Sequence, residues 1–286
     1  MKKIVVTGSN GYIASLVMDV NKDKISFIPL YRKDVDLSNP FAVREYFSTL
    51  DFDVCFHTAA NATTKICEEQ PELTHRINVE SSIAIADICK AKKAKLIFIS
   101  TEQVFNNQDG APFTEDSIPN SVSVYGNHKI EVEEYLKANN DDYVILRFSW
   151  MMGLSYPQVK ESPNIVRNVL NAISKGCPTK FTVNECRGMT YAYNFALNFD
   201  RIIDLPTGIY HYSNINNMST YESACYVANK LGCTNVDKYI LPDYDRYAEH
   251  FRDYRLDSTK LNDLGIITTT FEDDVDQLLK DFGFIK

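Results

Sequence analysis

The chain of 286 residues contains no apolar run near the roughly 18 residues that a membrane-spanning helix needs. It also lacks the layout of a signal peptide, opening instead on the strand-like KKIVVTG. Both absences lead us to expect a cytoplasmic protein without a membrane partner. Seven cysteines are present, an odd number, and no two are spaced as C-x-x-C. A disulfide framework and a zinc site are therefore not expected. Cys55 in DVCFH and Cys89 in IADICK read as reduced core residues. Basic residues are outnumbered, with 30 Lys and Arg against 38 Asp and Glu, which leaves a formal net charge of −8. Such a surface repels a phosphate backbone, so nucleic acid is excluded as a partner. A small phosphorylated ligand in a locally basic pocket is not. No Pro-, Gly- or Ser-rich hinge, internal repeat or low-complexity tract interrupts the chain, and 44% hydrophobic residues rule out disorder.

What is present in the first half is alternation. Short apolar runs at 4–6, 25–30, 54–57, 96–100 and 143–148 read as strands. Between them lie helical patterns. Ser38 and Pro40 cap and open one through about Leu50, Pro71 opens another through Lys92, and a third covers 121–139. Alternating units with right-handed crossovers give an α/β fold, a doubly wound parallel sheet of Rossmann type. The second half is less regular. It reads as helices at 163–175, 191–203, 219–232, 258–265 and 271–282, with a strand at 208–212. We expect an NAD(P)-binding domain at 1–150. A smaller α/β substrate-binding part at 151–286 would pack on it, with exchange of a strand or helix between the two.

The segment IVVTGSNGYIA sets Gly8 and Gly11 between the first strand and a helix. Gly8 permits a tight turn, Gly11 lets the backbone approach a pyrophosphate, and a small residue at Ala14 allows close helix–strand packing. The backbone of Gly8, Asn10, Gly11, Tyr12 and Ile13 would then meet the phosphates at a helix N-terminus. Beyond the second strand comes LYRKDVD. Arg32 and Lys33 suit the 2′-phosphate of NADPH, where an acidic residue would favour the free ribose of NADH. NADPH is the expected cofactor, with NADH as the alternative, and Asp36 and Leu37 would frame the adenine.

Tyr125 and Lys129 stand at i and i+4, on one face of a helix. A carbonyl that accepts a hydride needs a proton, and tyrosine with an ordinary pKa near 10 gives one up reluctantly. A neighbouring ammonium would lower that pKa. Thr101 ends the fourth strand and offers a hydroxyl at the carboxyl edge of the sheet, where such sheets bind ligands. Ser100 is the alternative for that role. The four-residue spacing is common by chance, and only this context singles it out.

TGSNGYIA, ISTEQVF, YGNHK and RFSWMMG resemble the signposts of the extended short-chain dehydrogenases. More narrowly, they are similar to dTDP-4-dehydrorhamnose reductases and related nucleotide-sugar 4-ketoreductases, a likeness continued by GIYHYSN and RLDSTKLNDLGI. The resemblance implies NADPH-dependent reduction of the 4-keto group of a nucleotide-linked deoxysugar. Tyr125 would be the general acid, Lys129 its partner and a ribose ligand, and Thr101 the group that orients the carbonyl. Ala59 and Ala60 would line the cofactor, and Asn78 would be structural. Val104, Phe105 and Trp150 would border the substrate. Arg187 either binds a diphosphate or is merely solvated. No metal is implied, and a homodimer is left open.

Gln103 departs from the acid pair that related dehydratases use to eliminate water, since an amide is neither acid nor base. That favours reduction. Lys65 and the segment 185–191 depart from the reductase pattern, which leaves the sugar undefined. The competing readings are an epimerase or dehydratase of the same fold, and a non-catalytic NADP-binding regulatory protein. His57 reads as a hydrogen-bonded core histidine, His128 as exposed, and Asp273–Asp276 as a solvated helix face.

Overall fold

The computed structural model describes residues 1–157 and 159–286. In chain order the first half runs β1 (Lys3–Thr7), α1 (Tyr12–Asn21), β2 (Ser26–Leu30), α2 (Pro40–Thr49), β3 (Val54–His57), α3 (Thr64–Glu69), α4 (Pro71–His75), α5 (Ser81–Lys92), β4 (Lys95–Thr101), α6 (Val124–Asn139) and β5 (Tyr143–Phe148). A π turn at Arg76–Glu80 joins α4 to α5, and a 3-10 turn at Glu102–Phe105 follows β4. There follow β6 (Trp150–Met152), α7 (Ile165–Ser174), β7 (Thr179–Thr182), β8 (Glu185–Cys186), β9 (Met189–Tyr191), α8 (Ala192–Leu197), α9 (Phe199–Ile203) and β10 (Gly208–Tyr212). The remainder is α10 (Thr220–Lys230), α11 (Val236–Tyr239), β11 (Ile240–Asp243), β12 (Arg252–Asp253), α12 (Thr259–Asp263) and α13 (Phe271–Asp281).

Two compact units result. The first comprises residues 1–108, 118–147 and 194–210; the second comprises 109–117, 148–193 and 211–286. The main sheet has the strand order β10-β5-β4-β3-β1-β2, and its β2–β1, β1–β3 and β3–β4 pairs are parallel. The chain moves outward from β1 to β2, then returns to β3 on the other side. This reversal makes the carboxyl ends of β1 and β3 the crevice where such sheets take ligands.

Alternate residues of each strand serve opposite faces. Cys55, Leu96, Phe98 and Ile145 pack with Val43 and Phe47 of α2, Ile85 of α5, and Val132 and Leu136 of α6. Phe56 faces the other way, with its ring 4.7 Å from Phe199 and 6.2 Å from Phe195. Asn21 of α1 donates to the Ala196 carbonyl on the same side. Both faces are therefore covered by helices, as expected of a doubly wound sheet.

Local details differ from expectation for physical reasons. The cap of α2 is Asn39, whose side chain accepts from Ala42 N, while Ser38 binds Asp36 instead. The segment opened by Pro71 is not one regular helix, because the π turn widens it at Asn78. Helix α3 lies in a stretch with no strong apolar period.

In the second unit one core gathers Met152, Val166, Val169, Met189, Tyr191, Val227, Ile240, Phe271 and Leu278. Its strands pair in parallel twos: β6 with β9, β7 with β11, and β8 with β12. Ser219 with Glu222, and Thr270 with Asp273, form reciprocal caps at the starts of α10 and α13. Asp274 corrects the reading of 273–276 as a solvated face. It is 1% exposed and accepts from Tyr191 N (3.0 Å), Asn214 Nδ2 (2.8 Å) and Thr269 Oγ1 (2.8 Å). A helix period places it one step from the apolar stripe, so a partnered acid fits there. Among the described residues no helix is long and apolar enough to cross a membrane.

Candidate active site

Gly8 follows β1 with φ +65, a conformation that side chains rarely adopt. A Cβ there would also sit 3.0 Å from both Ala59 Cα and Thr58 Oγ1, so the β1 and β3 ends approach through the missing side chain. Gly11 N donates to the Gly8 carbonyl at 2.8 Å, and Gly11 caps α1 with no side chain of its own. No acidic residue stands in the first turn of α1. The positive end of this helix is thus met by no carboxylate of its own first turn, which suits an anion. Ala14 is fully buried, as close packing requires, and Tyr12 is buried too. Asn10 and Gly11 are exposed.

Thr7, which sequence reasoning missed, ties this turn to β3. Its Oγ1 accepts from Thr58 N and Ala59 N, both at 3.1 Å. With its lone pairs so used, its proton goes to His57 Nδ1 at 2.7 Å. His57 Nε2–H then donates to Ser82 Oγ (2.8 Å), which donates to the Asn78 carbonyl (2.7 Å). The tautomer follows from this network. Burial lowers the His57 pKa to about 3, so the ring is neutral, as the core reading held.

At the end of β2, Arg32 and Lys33 are exposed. The neighbouring acids are occupied. Asp34 accepts from Tyr31 N at 2.8 Å. Asp36 accepts from Ser38 N and Oγ, and these bonds hold its carboxyl below the usual range. Leu37 packs against the core, and its carbonyl accepts from Ser81 Oγ. The two cations therefore face solvent with the nearby carboxylates turned to loop bonds.

Helix α6 begins beside β4. Ser123 Oγ accepts from Gly126 N at 3.0 Å, and Glu68 accepts from Val124 N at 2.9 Å. Gly126 is a second signal that sequence reasoning passed over. A Cβ there would lie 2.1 Å from Ser121 Oγ and 2.7 Å from the Gln103 carbonyl. Its absence lets the first turn of α6 close on the 3-10 turn after Thr101, which is how residues far apart in sequence become neighbours. Lys129 Nζ donates to the Ile99 carbonyl at 2.7 Å and lies 5.7 Å from the Tyr125 ring centroid and 4.5 Å from that of Phe98.

Electrostatics in this pair depart from expectation. Burial lowers Lys129 to about 8, opposed by the nearby Glu133 and Cys67. Tyr125 is pushed up, not down, first by burial and then by Cys67 and Glu102. The ammonium is present, but desolvation of the phenolate outweighs it.

Thr101 is half-buried, and its Oγ1 accepts from Gln103 N at 3.2 Å. Ser100 turns inward and donates to Glu133, so Thr101 is the hydroxyl left at the sheet edge. Val104 and Phe105 are fully buried, Phe105 beneath the Arg147 guanidinium at 4.9 Å. They correct the expectation of substrate contact, because the 3-10 turn directs both into the core.

His128 is also a correction. It is 5% exposed, with Nδ1 3.3 Å from Asn78 Nδ2 and its ring 5.5 Å from that of His75. The π turn brings Asn78 under it. Asn78 holds the loop after β3, accepting from Asn61 N at 2.7 Å and donating to the Asn61 carbonyl at 3.0 Å. Ala59 and Ala60 lie in that loop, both half-buried.

In the second unit Trp150 Nε1 donates to the Pro163 carbonyl at 3.2 Å. Arg187 is not solvated, since its side chain is only 13% exposed. Its guanidinium lies 5.7 Å from the Trp150 ring and 5.4 Å from that of Tyr254, and 3.8 Å from Glu185.

Comparison with known proteins agrees with this fold. A family model described as the RmlD substrate binding domain matches residues 1–284. The chain is 26% identical over 233 residues to the spore coat polysaccharide biosynthesis protein SpsK of Bacillus subtilis, covering 81% of this chain and 80% of that protein. It is 29% identical over 202 residues to the methionine adenosyltransferase 2 subunit beta of Xenopus laevis, covering 68% of this chain but only 59% of that relative's length. Among solved structures, a dTDP-4-dehydrorhamnose reductase of Bacillus anthracis in complex with NADP superposes with a TM-score of 0.85 at 21% identity, over 98% of this chain and 99% of the other.

Proposed function

We propose that this chain, which belongs to the RmlD substrate binding domain family, is an oxidoreductase that reduces the 4-keto group of a nucleotide-linked deoxysugar with NADPH. The observation that carries the reading is the buried Lys129 ammonium set between the Ile99 carbonyl and the Tyr125 ring. The cradle at Gly8 and Gly11, filled by any added Cβ, and the uncapped start of α1 fit a dinucleotide pyrophosphate. Arg32 and Lys33 would hold its 2′-phosphate. With NADPH held there, the cofactor would supply the hydride for a carbonyl carbon.

This chain's own residues supply the proton and the positioning. Tyr125 gives its phenolic proton to the carbonyl oxygen as the C–H bond forms, and solvent restores it. The raised pKa keeps the phenol protonated at neutral pH, the form that a reducing acid needs. Lys129 stabilises the phenolate left behind, and Thr101 donates to the same carbonyl oxygen. Gln103 offers no acid or base for elimination. The direct test is a panel of 4-keto-6-deoxy nucleotide sugars with NADPH oxidation followed by absorbance. No oxidation with any of them would remove the proposal.

Two outcomes follow. Lys129 is cationic below its pKa of about 8 and neutral above it. The rate of reduction is therefore expected to hold from neutral pH to near 8 and to fall as pH rises further. A kcat profile flat to pH 9.5 would refute the role of the ammonium. Replacing Arg32 and Lys33 together with Ala is expected to raise KM for NADPH by about 10- to 100-fold, the usual loss of charge-assisted phosphate bonds. KM for NADH should change little, and equal effects on both cofactors would count against 2′-phosphate recognition.

A second reading rests on the methionine adenosyltransferase relative, which is named as a subunit. A protein that binds NADPH, turns over no ketosugar and co-purifies with an enzyme partner would favour it.

A further inference from the structure

One residue holds the loop that follows β3 at both of its ends. Asn78 Oδ1 accepts from Asn61 N at 2.7 Å, and its Nδ2 donates to the Asn61 carbonyl at 3.0 Å. The Asn78 carbonyl accepts from Ser82 Oγ, which is joined through His57 to Thr7. Thr7 in turn holds Thr58 N and Ala59 N. The strip 58–61 is therefore fixed from Asn78, and its Ala59 lies where a Cβ on Gly8 would meet it.

The Asn78 amide carries a second N–H. Asn61 N only donates, so Oδ1 faces it and both hydrogens stay on the other side of the amide. One serves the Asn61 carbonyl. The other goes to His128 Nδ1 at 3.3 Å, with Cys67 Sγ farther off at 3.9 Å. His128 Nδ1 is thus an acceptor, its proton sits on Nε2, and the ring is neutral. A proton added at Nδ1 would set N–H against N–H. Turning the amide over gives no relief, because its NH₂ would then face Asn61 N–H. Either arrangement leaves a buried donor without its acceptor and loosens the hold on Asn61.

His128 is 5% exposed, yet it lines a surface cleft with Glu72 and His75 of α4 and with Arg76 and Glu80 of the π turn. The His75 ring, 5.5 Å away, has Nε2 3.1 Å from Glu131 Oε2 and Nδ1 3.4 Å from Glu80 Oε1. Glu131 on α6 and Glu68 on α3 draw a proton toward His128. Burial opposes it most, followed by His75 and then by Lys129, and together they hold the ring below its ordinary pKa of about 6.5. The neutral acceptor therefore prevails at neutral pH and is lost only as pH falls below that value.

We propose that His128 is a positioning residue: as a neutral acceptor it fixes Asn78 and, through it, the 58–61 loop for the dinucleotide, and a proton taken up at Nδ1 releases that loop. This rests on the reading that the dinucleotide is seated beside Gly8 and Ala59. Protonation and dinucleotide binding are then linked, each opposing the other by the same factor.

Calorimetric titration of the full chain with NADP⁺ at pH 5.5, 6.5 and 7.5 tests it, in the parent and in His128→Gln. Glutamine offers Asn78 an acceptor and does not titrate. Each protein is compared with its own affinity at pH 7.5, so that titration of the 2′-phosphate cancels between them. From pH 7.5 to 5.5 the parent is expected to lose about two- to fivefold more affinity than His128→Gln, as its binding-competent fraction falls. His128→Leu, which offers no acceptor, should bind more weakly than His128→Gln at pH 7.5. Thermal midpoints recorded alongside separate loss of binding from loss of fold. Nitrogen-15 NMR of the parent gives a readout that needs no variant. Nδ1 of His128 should be unprotonated at pH 7.5, and saturating NADP⁺ should move its titration to lower pH. Equal acid losses in the parent and a folded His128→Gln protein remove this proposal alone. So does a protonated Nδ1 at pH 7.5, or a His128 titration that NADP⁺ leaves in place. Failure of the parent to bind NADP⁺ at any of the three pH values removes the dinucleotide reading, and this proposal with it.

Discussion

Tyr125→Phe is expected to lower kcat for ketosugar reduction by about 10²- to 10⁴-fold, the range lost when a positioned proton donor is removed. Affinity for NADPH should stay near that of the parent, because the cradle at Gly8 and Gly11 is untouched. The fold should survive as well, since Phe keeps the ring that lies 5.7 Å from Lys129 Nζ. Single-turnover oxidation of NADPH, with cofactor binding measured separately, checks all three points. Parent-like turnover would remove Tyr125 from the chemistry. Lys129→Met makes a useful companion. It should lower the rate and also abolish the fall in activity above pH 8, because the group that titrates there is gone.

Glu133→Gln should cost about 3–5 kcal/mol of stability, the usual penalty for removing one charge of a buried ion pair. Glu133 and Arg147 are 0% and 1% exposed in their side chains and meet at 2.6 Å. Arg147 Nε donates to both carboxylate oxygens, at 3.1 and 3.2 Å, and Ser100 Oγ donates to the same carboxylate. One acid on α6 therefore bonds to β4 and β5 together. Thermal unfolding should show a midpoint lower by on the order of 10 °C. Activity should fall even well below that midpoint, because α6 carries Tyr125 and Lys129 while Ser100 precedes Thr101. A midpoint within about 2 °C of the parent would mean that the Glu133 charge adds little to stability.

The sequence made most of the first unit legible because its strands alternate with long periodic helices and its turn glycines have few other uses. Strand runs at 54–57, 96–100 and 143–148 fall within one or two residues of the observed elements. The second unit was less readable. Strands of two to four residues, such as β8 and β12, offer too few positions for a period to appear. The electrostatics of the site were opaque for another reason. Spacing puts Lys129 beside Tyr125 but says nothing of how far each is desolvated, and burial decided the direction of both shifts. His128 and Asp274 were misjudged alike. A polar residue next to a helix's apolar stripe looks solvated until its partner, Asn78 or Tyr191 N, arrives from elsewhere in the chain.

The segment 194–210 returns to the first unit after most of the second has passed. Phe195 and Phe199 from that segment lie against Phe56, and Lys95 donates to the carbonyls of Ile203 and Leu205. Gene dissection at the apparent midpoint therefore fails in a predictable way. A polypeptide ending at residue 150 would expose an aromatic face and a bare sheet edge in place of β10, and it would collect as insoluble aggregate. An internal deletion that joins 194–212 directly to the end of β5 would restore the missing layer, and it is expected to purify as a dinucleotide-binding module.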